Sequence, residues 1–138
     1  MLIDCLYIYI DILSHFTAGK QFINDPQERL KLTGLLLIAG RRAKDNSAYQ
    51  PAANYFLFGV ELLPKDAWET HYNITIQLYK ELAECEYLRG NFQKAEDLYP
   101  LIIEKAKTLP EKINVYWIKM NQFEIQQRCM FLTICSIF

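Results

Sequence analysis

The stretch GRRAKDNSAYQPAANYF, residues 40–56, is echoed by AECEYLRGNFQKAEDLY, residues 83–99, at a constant offset of 43. Gly40 stands over Ala83, Ser47 over Gly90, Tyr49 over Phe92, Ala52 over Ala95 and Phe56 over Tyr99. Small residues match small ones, and aromatic residues match aromatic ones. Two antiparallel helices that cross closely need a small residue where their backbones touch, and Ala83 and Ala95 supply it. Gly90 permits the left-handed conformation that ends a helix. Phe92 is expected to open the next helix and fill the space under the turn, with Tyr99 filling the layer below. A chain built this way is committed to helix pairs.

The rest of the sequence agrees. Leu2, Leu6, Ile10 and Leu13 fall at helical steps, which predicts a first helix to about Phe16. In NDPQERLKL, Asp25 can cap a second helix, Pro26 suits its first position and Glu28 completes a capping box. Leu32, Leu35, Leu36, Ala39 and Ala43 are its expected apolar face, and KDNS breaks it. A third helix follows Ser47 with Pro51 in its first turn, where a lost donor is least costly, and ends near LLPKD. Asp66 and Glu69 form a second capping box for a single helix that carries Trp68, Tyr72, Leu78, Tyr79, Leu82 and Ala83 to RGN. Asn91 is expected to cap the next helix, running to about Lys107. Pro110 and Glu111 open a sixth, with Ile113, Trp117, Met120 and Phe123 along it. Strand signals do not recur, and short connections predict antiparallel neighbours.

The set Tyr79, Leu82, Ala83, Gly90, Phe92, Ala95 and Tyr99 resembles the tetratricopeptide repeat, which places small, turn-glycine and aromatic residues in these roles. The first unit departs from it at Ser47, which replaces the turn glycine, and the 43-residue offset exceeds the usual repeat length. The expected fold is therefore all-α, an antiparallel, tetratricopeptide-like α-solenoid segment of about six helices. Such units bury their faces by stacking on neighbours.

Composition restricts function more than it reveals it. A formal net charge of −1 argues against a general nucleic-acid binder, which needs a basic surplus. Arg41, Arg42 and Lys44 cluster at a helix end and read as a match to the helix dipole. Cys5, Cys85, Cys129 and Cys135 include no C-x-x-C pair and read as free thiols of a reducing cytoplasm, Cys85 as a small core residue. No run of eighteen apolar residues spans a membrane, and the N-terminal residues lack a basic leader and a cleavage site.

Catalytic motifs are missing from the pattern. GLLLIAGRR, from Gly34, lacks the G-K-[ST] ending of a phosphate loop. His15 lacks the flanking residues of a phospho-accepting histidine, and His71 follows Glu69 too closely for an H-E-x-x-H metal site. Two histidines and no close cysteine pair argue against zinc. Helix-surface carboxylates such as Glu81 and Glu84 read as solvated, and the aromatic set Tyr55, Phe56, Phe58, Trp68, Tyr72 and Tyr79 as core rather than a ligand groove. No cofactor and no metal is expected.

Several stretches together resemble a specific family: the His15–Phe16 helix end, DPQER, LLLIAGRRAKDNSAY, GVELLPKDAWETHY, YLRGNFQKAEDLY and AKTLPEKINVYWIKM. The resemblance covers about residues 10–128 and is to the helical region of very large signalling proteins common in cyanobacteria and some other bacteria. In those proteins a serine/threonine-kinase-like domain and a predicted AAA-type ATPase precede the helical region. GAF or PAS sensors and a hybrid histidine kinase often follow it. The resemblance implies a non-catalytic interaction and linker segment that couples the nucleotide-binding module to sensor and kinase domains. None of the family's catalytic motifs falls here, so no catalytic residue carries over and the chain itself is not expected to be an enzyme.

Residues 1–128 form the expected helical segment. The tail 129–138, CMFLTICSIF, departs from the family and reads as a truncated or frame-shifted end, or as half of a buried helix. Expected partners are neighbouring domains or a peptide docked on a concave face, with contacts at Asn73, Gln77 and Lys80; nucleic acid and membrane are not expected. The alternative is an effector-sensing helical domain of a large ATP-dependent transcription regulator.

Overall fold

A computed structural model describes the backbone of residues 25–137 and side chains as far as Arg128. The helix expected to end at Phe16 lies outside the described residues. Six helices and no strand make up the described part: α1 (Pro26–Asp45), α2 (Tyr49–Leu62), α3 (Ala67–Thr70), α4 (Tyr72–Leu88), α5 (Phe92–Lys105) and α6 (Leu109–Ile137). The fold is all-α.

Each long helix packs chiefly on the next: α1 on α2, α2 on α4, α4 on α5 and α5 on α6. The first pair runs antiparallel. A Cβ built on Gly40 would meet the Phe56 ring, and one on Gly59 lies 3.8 Å from Cβ of Leu36. The core has two main centres. Leu37, Ala52, Ala53, Phe56, Leu78, Leu82 and Cys85 form one, joining α1, α2 and α4. Ile76, Ala83, Ala95, Tyr99, Ile102, Ala106 and Val115 form the other, joining α4, α5 and α6. Helix α4 therefore contributes to both, with Leu78, Leu82 and Cys85 in one centre and Ile76 and Ala83 in the other. Burying each large apolar side chain contributes about 1.5–3 kcal/mol.

The 43-residue offset is written into the backbone of the turns. The α1–α2 turn has hydrogen bonds from Asn46 N–H to Arg42 O, Ser47 N–H to Lys44 O and Ala48 N–H to Ala43 O. The α4–α5 turn repeats them from Arg89 to Cys85, Gly90 to Tyr87 and Asn91 to Glu86. Both are Schellman turns, which need a left-handed residue just past the helix. Ser47 (φ 60°) and Gly90 (φ 89°) are the left-handed residues at those two points. Ala48 (φ −86°, ψ 66°) and Asn91 (φ −86°, ψ 62°) then open the next helices in nearly identical conformations.

Several local expectations are corrected. Asp25 does cap α1, its Oδ1 accepting from Gln27 N–H at 3.0 Å. Asp66 makes no side-chain cap; only its carbonyl accepts, from the N–H groups of Glu69 and Thr70. The helix beyond it is also not continuous. His71 (φ −131°, ψ 43°) separates α3 from α4, and the buried Thr75 hydroxyl meets the carbonyls of Ala67 and His71 at the break. Asn91 does not cap α5 with its side chain; its Nδ2 donates instead to Glu86, a buried carboxylate that needs donors more than an exposed helix end does. A capping box forms where none was read, at Thr108 and Glu111: Thr108 N–H donates to Glu111 Oε2 (3.1 Å) and Glu111 N–H to Thr108 Oγ1 (3.4 Å). Phe92 does not plug a buried space; it is exposed, its ring 5.0 Å from that of Tyr87.

On helix α1, Leu36 of the expected face is buried and Leu32, Ala39 and Ala43 pack against the core. Thr33, Leu36, Leu37 and Gly40 are buried, whereas Leu35 is exposed. At the other end, α6 runs unbroken to Ile137.

Candidate interaction surface

Two surfaces compete for a functional role. The first is the seam between α1 and α4. Arg41 Nε pairs with Glu81 Oε1 at 2.8 Å, and Lys44 Nζ reaches Glu81 at 2.5 Å and Glu84 at 3.0 Å. Arg41 Nη2 also donates to Gln77 Oε1 at 3.0 Å. Burial pulls the Lys44 amine down, but its bonds to Glu81 and Glu84 outweigh that and leave it raised. Burial pushes Glu81 up, but Lys44 and Arg41 outweigh it and leave the carboxyl lowered. Glu81 and Glu84 are thus not merely solvated, and Arg41 and Lys44 serve α4 rather than only the end of α1.

This network decides the position of the predicted contact residues. Asn73 is exposed, while Gln77 and Lys80 are half-buried. Gln77 is engaged by Arg41 within the chain. The spacing 73, 77, 80 shares its side of α4 with Glu81 and Glu84, so this face borders the α1 seam.

The repeat positions lie inside the array. Gly40, Ala52, Phe56, Ala83, Ala95 and Tyr99 are buried, Tyr49 is half-buried, and Gly90 and Phe92 are exposed at the turn. Tyr99 donates its hydroxyl to Gln122 Oε1 on α6. Burial pushes its phenol up to about 12, so it stays a donor at neutral pH. Cys85 is fully buried and its thiol is pushed up to about 12 by burial, which leaves it unreactive at neutral pH.

The second surface is the outer side of α6. Polar ties hold the inner side: Tyr87 OH to Gln122 O (2.6 Å), Tyr72 OH to Glu111 Oε2 (2.7 Å) and Lys119 Nζ to Glu96 Oε2 (2.7 Å). The Tyr72 hydroxyl also holds the Glu111 carboxyl below its usual range. Val115 is buried on that side. The consequence is that Ile113, Trp117, Met120 and Phe123, the apolar residues read along this helix, all face solvent, joined by Leu109 and Tyr116. Leu109 and Met120 are each 69% exposed and Trp117 64%. Positions 109, 113, 116, 120 and 123 follow helical spacing, so they form one continuous stripe. The sequence carried this signal in full, but periodicity does not say whether a neighbour is there to cover the stripe.

Among the described residues, no group of three or more His, Cys, Asp or Glu side chains is arranged to hold a metal ion. No helix among them is long and apolar enough to cross a membrane.

No family model and no solved structure matches the chain. The chain is similar to the Hybrid signal transduction histidine kinase G of Dictyostelium discoideum, at 27% identity over 127 residues. The match covers 86% of this chain but only 4% of that protein's length. It links the chain to signalling proteins.

Proposed function

We propose that this chain is a non-catalytic, tetratricopeptide-like interaction and linker segment of a multidomain signal-transduction protein, coupling a nucleotide-binding module to sensor and kinase domains in the cytoplasm. The observation that carries this reading is the bare stripe on α6. A large contiguous apolar face marks a contact site, and every other long helix of the array has such a face covered by a neighbour. The occupant in this reading is a neighbouring helical segment of the same large protein. Its length fits: the signalling relative is some twenty-five times longer than the matched region, given the 4% coverage. The tetratricopeptide-like assignment is supported by the paired Schellman turns and by the buried small–aromatic positions 43 residues apart. The side of α4 bearing Asn73 and Lys80 is a second contact surface, with Gln77 shared between it and Arg41.

The test is direct binding, by calorimetry, of the purified chain to the separately expressed nucleotide-binding, sensor and kinase domains encoded with it. Binding is expected to at least one domain and to be lost in the doubly substituted Ile113→Glu, Met120→Glu chain, whose exposed positions leave folding intact. Absence of binding to every domain, or binding indifferent to the double substitution, sinks the reading. ATP hydrolysis by the chain alone is expected to stay at background.

A further inference from the structure

A separate cleft shares no residue with that surface. It lies between the first turns of α1 and the α2–α3 connection and encloses about 130 Å³. Leu30, Leu62, Leu63 and Pro64 form hydrocarbon walls, and Arg29 and His71 bring the polar groups. Arg29 is out of balance. Its Nε is buried and has no hydrogen-bond partner. No ion pair to Arg29 is found among the described residues. A guanidinium is always charged, has five donors and accepts nothing, so only an acceptor can relieve it. The nearby Thr33 hydroxyl donates to the Arg29 carbonyl at 2.8 Å and takes no hydrogen bond from Arg29 Nε. Backbone groups of His71 are also committed, its N–H to Ala67 and its carbonyl to Thr75.

The walls select the acceptor. A free phosphate dianion needs several donors around it, and hydrocarbon on most sides would leave its oxygens unmet. A carboxylate needs one fork of donors, which a guanidinium matches in shape, and it can carry an apolar tail. The volume is well below the roughly 300–1,000 Å³ of sites for drug-sized ligands, so the tail has only a few carbons. We propose that this cleft is a binding site for a small aliphatic monocarboxylate. Arg29 takes the carboxylate, His71 flanks it, and Leu30, Leu62, Leu63 and Pro64 enclose the tail. The site joins α1, α2 and the α3–α4 break, so occupancy would tie the first helix pair to the second. It stands independently of the interaction reading, since none of its residues belongs to α6.

The experiment is calorimetric titration of the full chain with isobutyrate, acetate and inorganic phosphate at fixed ionic strength, with the Arg side-chain Nε–H resonances followed in parallel. Isobutyrate is expected to bind saturably and to shift one Arg Nε–H signal. Acetate should bind more weakly, and phosphate should give no saturable heat. Arg29→Met should weaken isobutyrate by roughly tenfold or more, the loss of a charged hydrogen bond. Should Arg29→Met fail to fold, Arg29→Lys keeps the charge while removing the fork, and the same loss is expected. The proposal is overturned by no saturable isobutyrate binding, by equal binding in the Arg29 variants, by acetate binding as tightly as isobutyrate, or by phosphate binding in its place.

Discussion

The two helix hairpins, α1–α2 and α4–α5, make the same turn with different residues. Ser47 holds the left-handed position in the first and Gly90 in the second. Their crossings differ as well. In the first hairpin Gly40 lies so close to Phe56 that an added Cβ would sit 2.4 Å from a ring carbon. In the second, Ala83 already carries a Cβ, and the aromatic partner is Tyr99, whose hydroxyl reaches onward to Gln122 of α6. The crossing of the first hairpin therefore rests on close fit of shape. The second exchanges some closeness for a polar tie to the helix that follows. Backbone geometry is the repeated quantity, and side chains are adjusted to what each hairpin has for a neighbour.

That comparison can be broken most severely at its aromatic residues. Phe56→Ala is expected to destabilise the chain by about 3–5 kcal/mol in urea unfolding, because it empties the centre of a core shared by three helices. Tyr99→Phe keeps the volume but strands Gln122, and should cost about 1–3 kcal/mol. If Tyr99→Phe proved neutral, the polar tie would have no energetic role.

The close crossing comes next. Gly40→Ala should destabilise by about 1–3 kcal/mol, since Phe56 is fully buried and its ring has little room to yield. Gly34, on the same helix, has nothing within 4 Å of a built Cβ. Gly34→Ala should stabilise by about 0.5–1 kcal/mol through lower unfolded-state entropy. Thermal melts of the two variants must move in opposite directions for the crossing to be as described.

The turns offer a smaller, reciprocal test. Ser47→Gly should raise stability and Gly90→Ser lower it, each by about 1 kcal/mol, because a left-handed conformation is costly for any residue with a Cβ. Equal signs for the two would mean that the turns are not equivalent.

The α1–α4 network sets a pH dependence. Glu81 has a folded-state pKa below its ordinary 4.5, so its contribution is present above that value and lost as pH falls through the folded one. Lys44 is raised above 10.5, so its contribution is present below that value and lost as pH rises through the folded one. Stability from this seam should thus be full between about pH 5 and 10. Urea midpoints at pH 7 and pH 4 should differ less in Glu81→Gln than in the parent chain, and equal differences would remove Glu81 from the account.

Legibility differed from one kind of feature to another. The helices, the left-handed turn at Gly90 and the small–aromatic steps followed from spacing and residue type. Caps were read less well. The sequence TLPE, residues 108–111, carries the Thr-x-x-Glu pattern and forms the box, whereas Asp66 has a capping residue type but makes no side-chain cap, and Asn91 turns its side chain to Glu86. For Asn91 the decisive fact was Glu86, a carboxylate buried five positions earlier, which local patterning could not reveal. On the candidate contact face, Gln77 meets Arg41 across 36 positions of sequence, a pairing that local patterning likewise could not reveal.

What the sequence determined by itself is local. Periodicity, glycine and proline chemistry and the 43-residue offset are properties of neighbours along the chain, and they specify an all-α fold of paired helices. Only tertiary structure decided which stripe of each helix met another. Helix α6 has an apolar stripe that looks like core and lies in solvent, because three polar ties orient its other side inward. A hydrophobic pattern states that a face can be buried. Burial itself depends on which groups, distant in sequence, arrive to cover it.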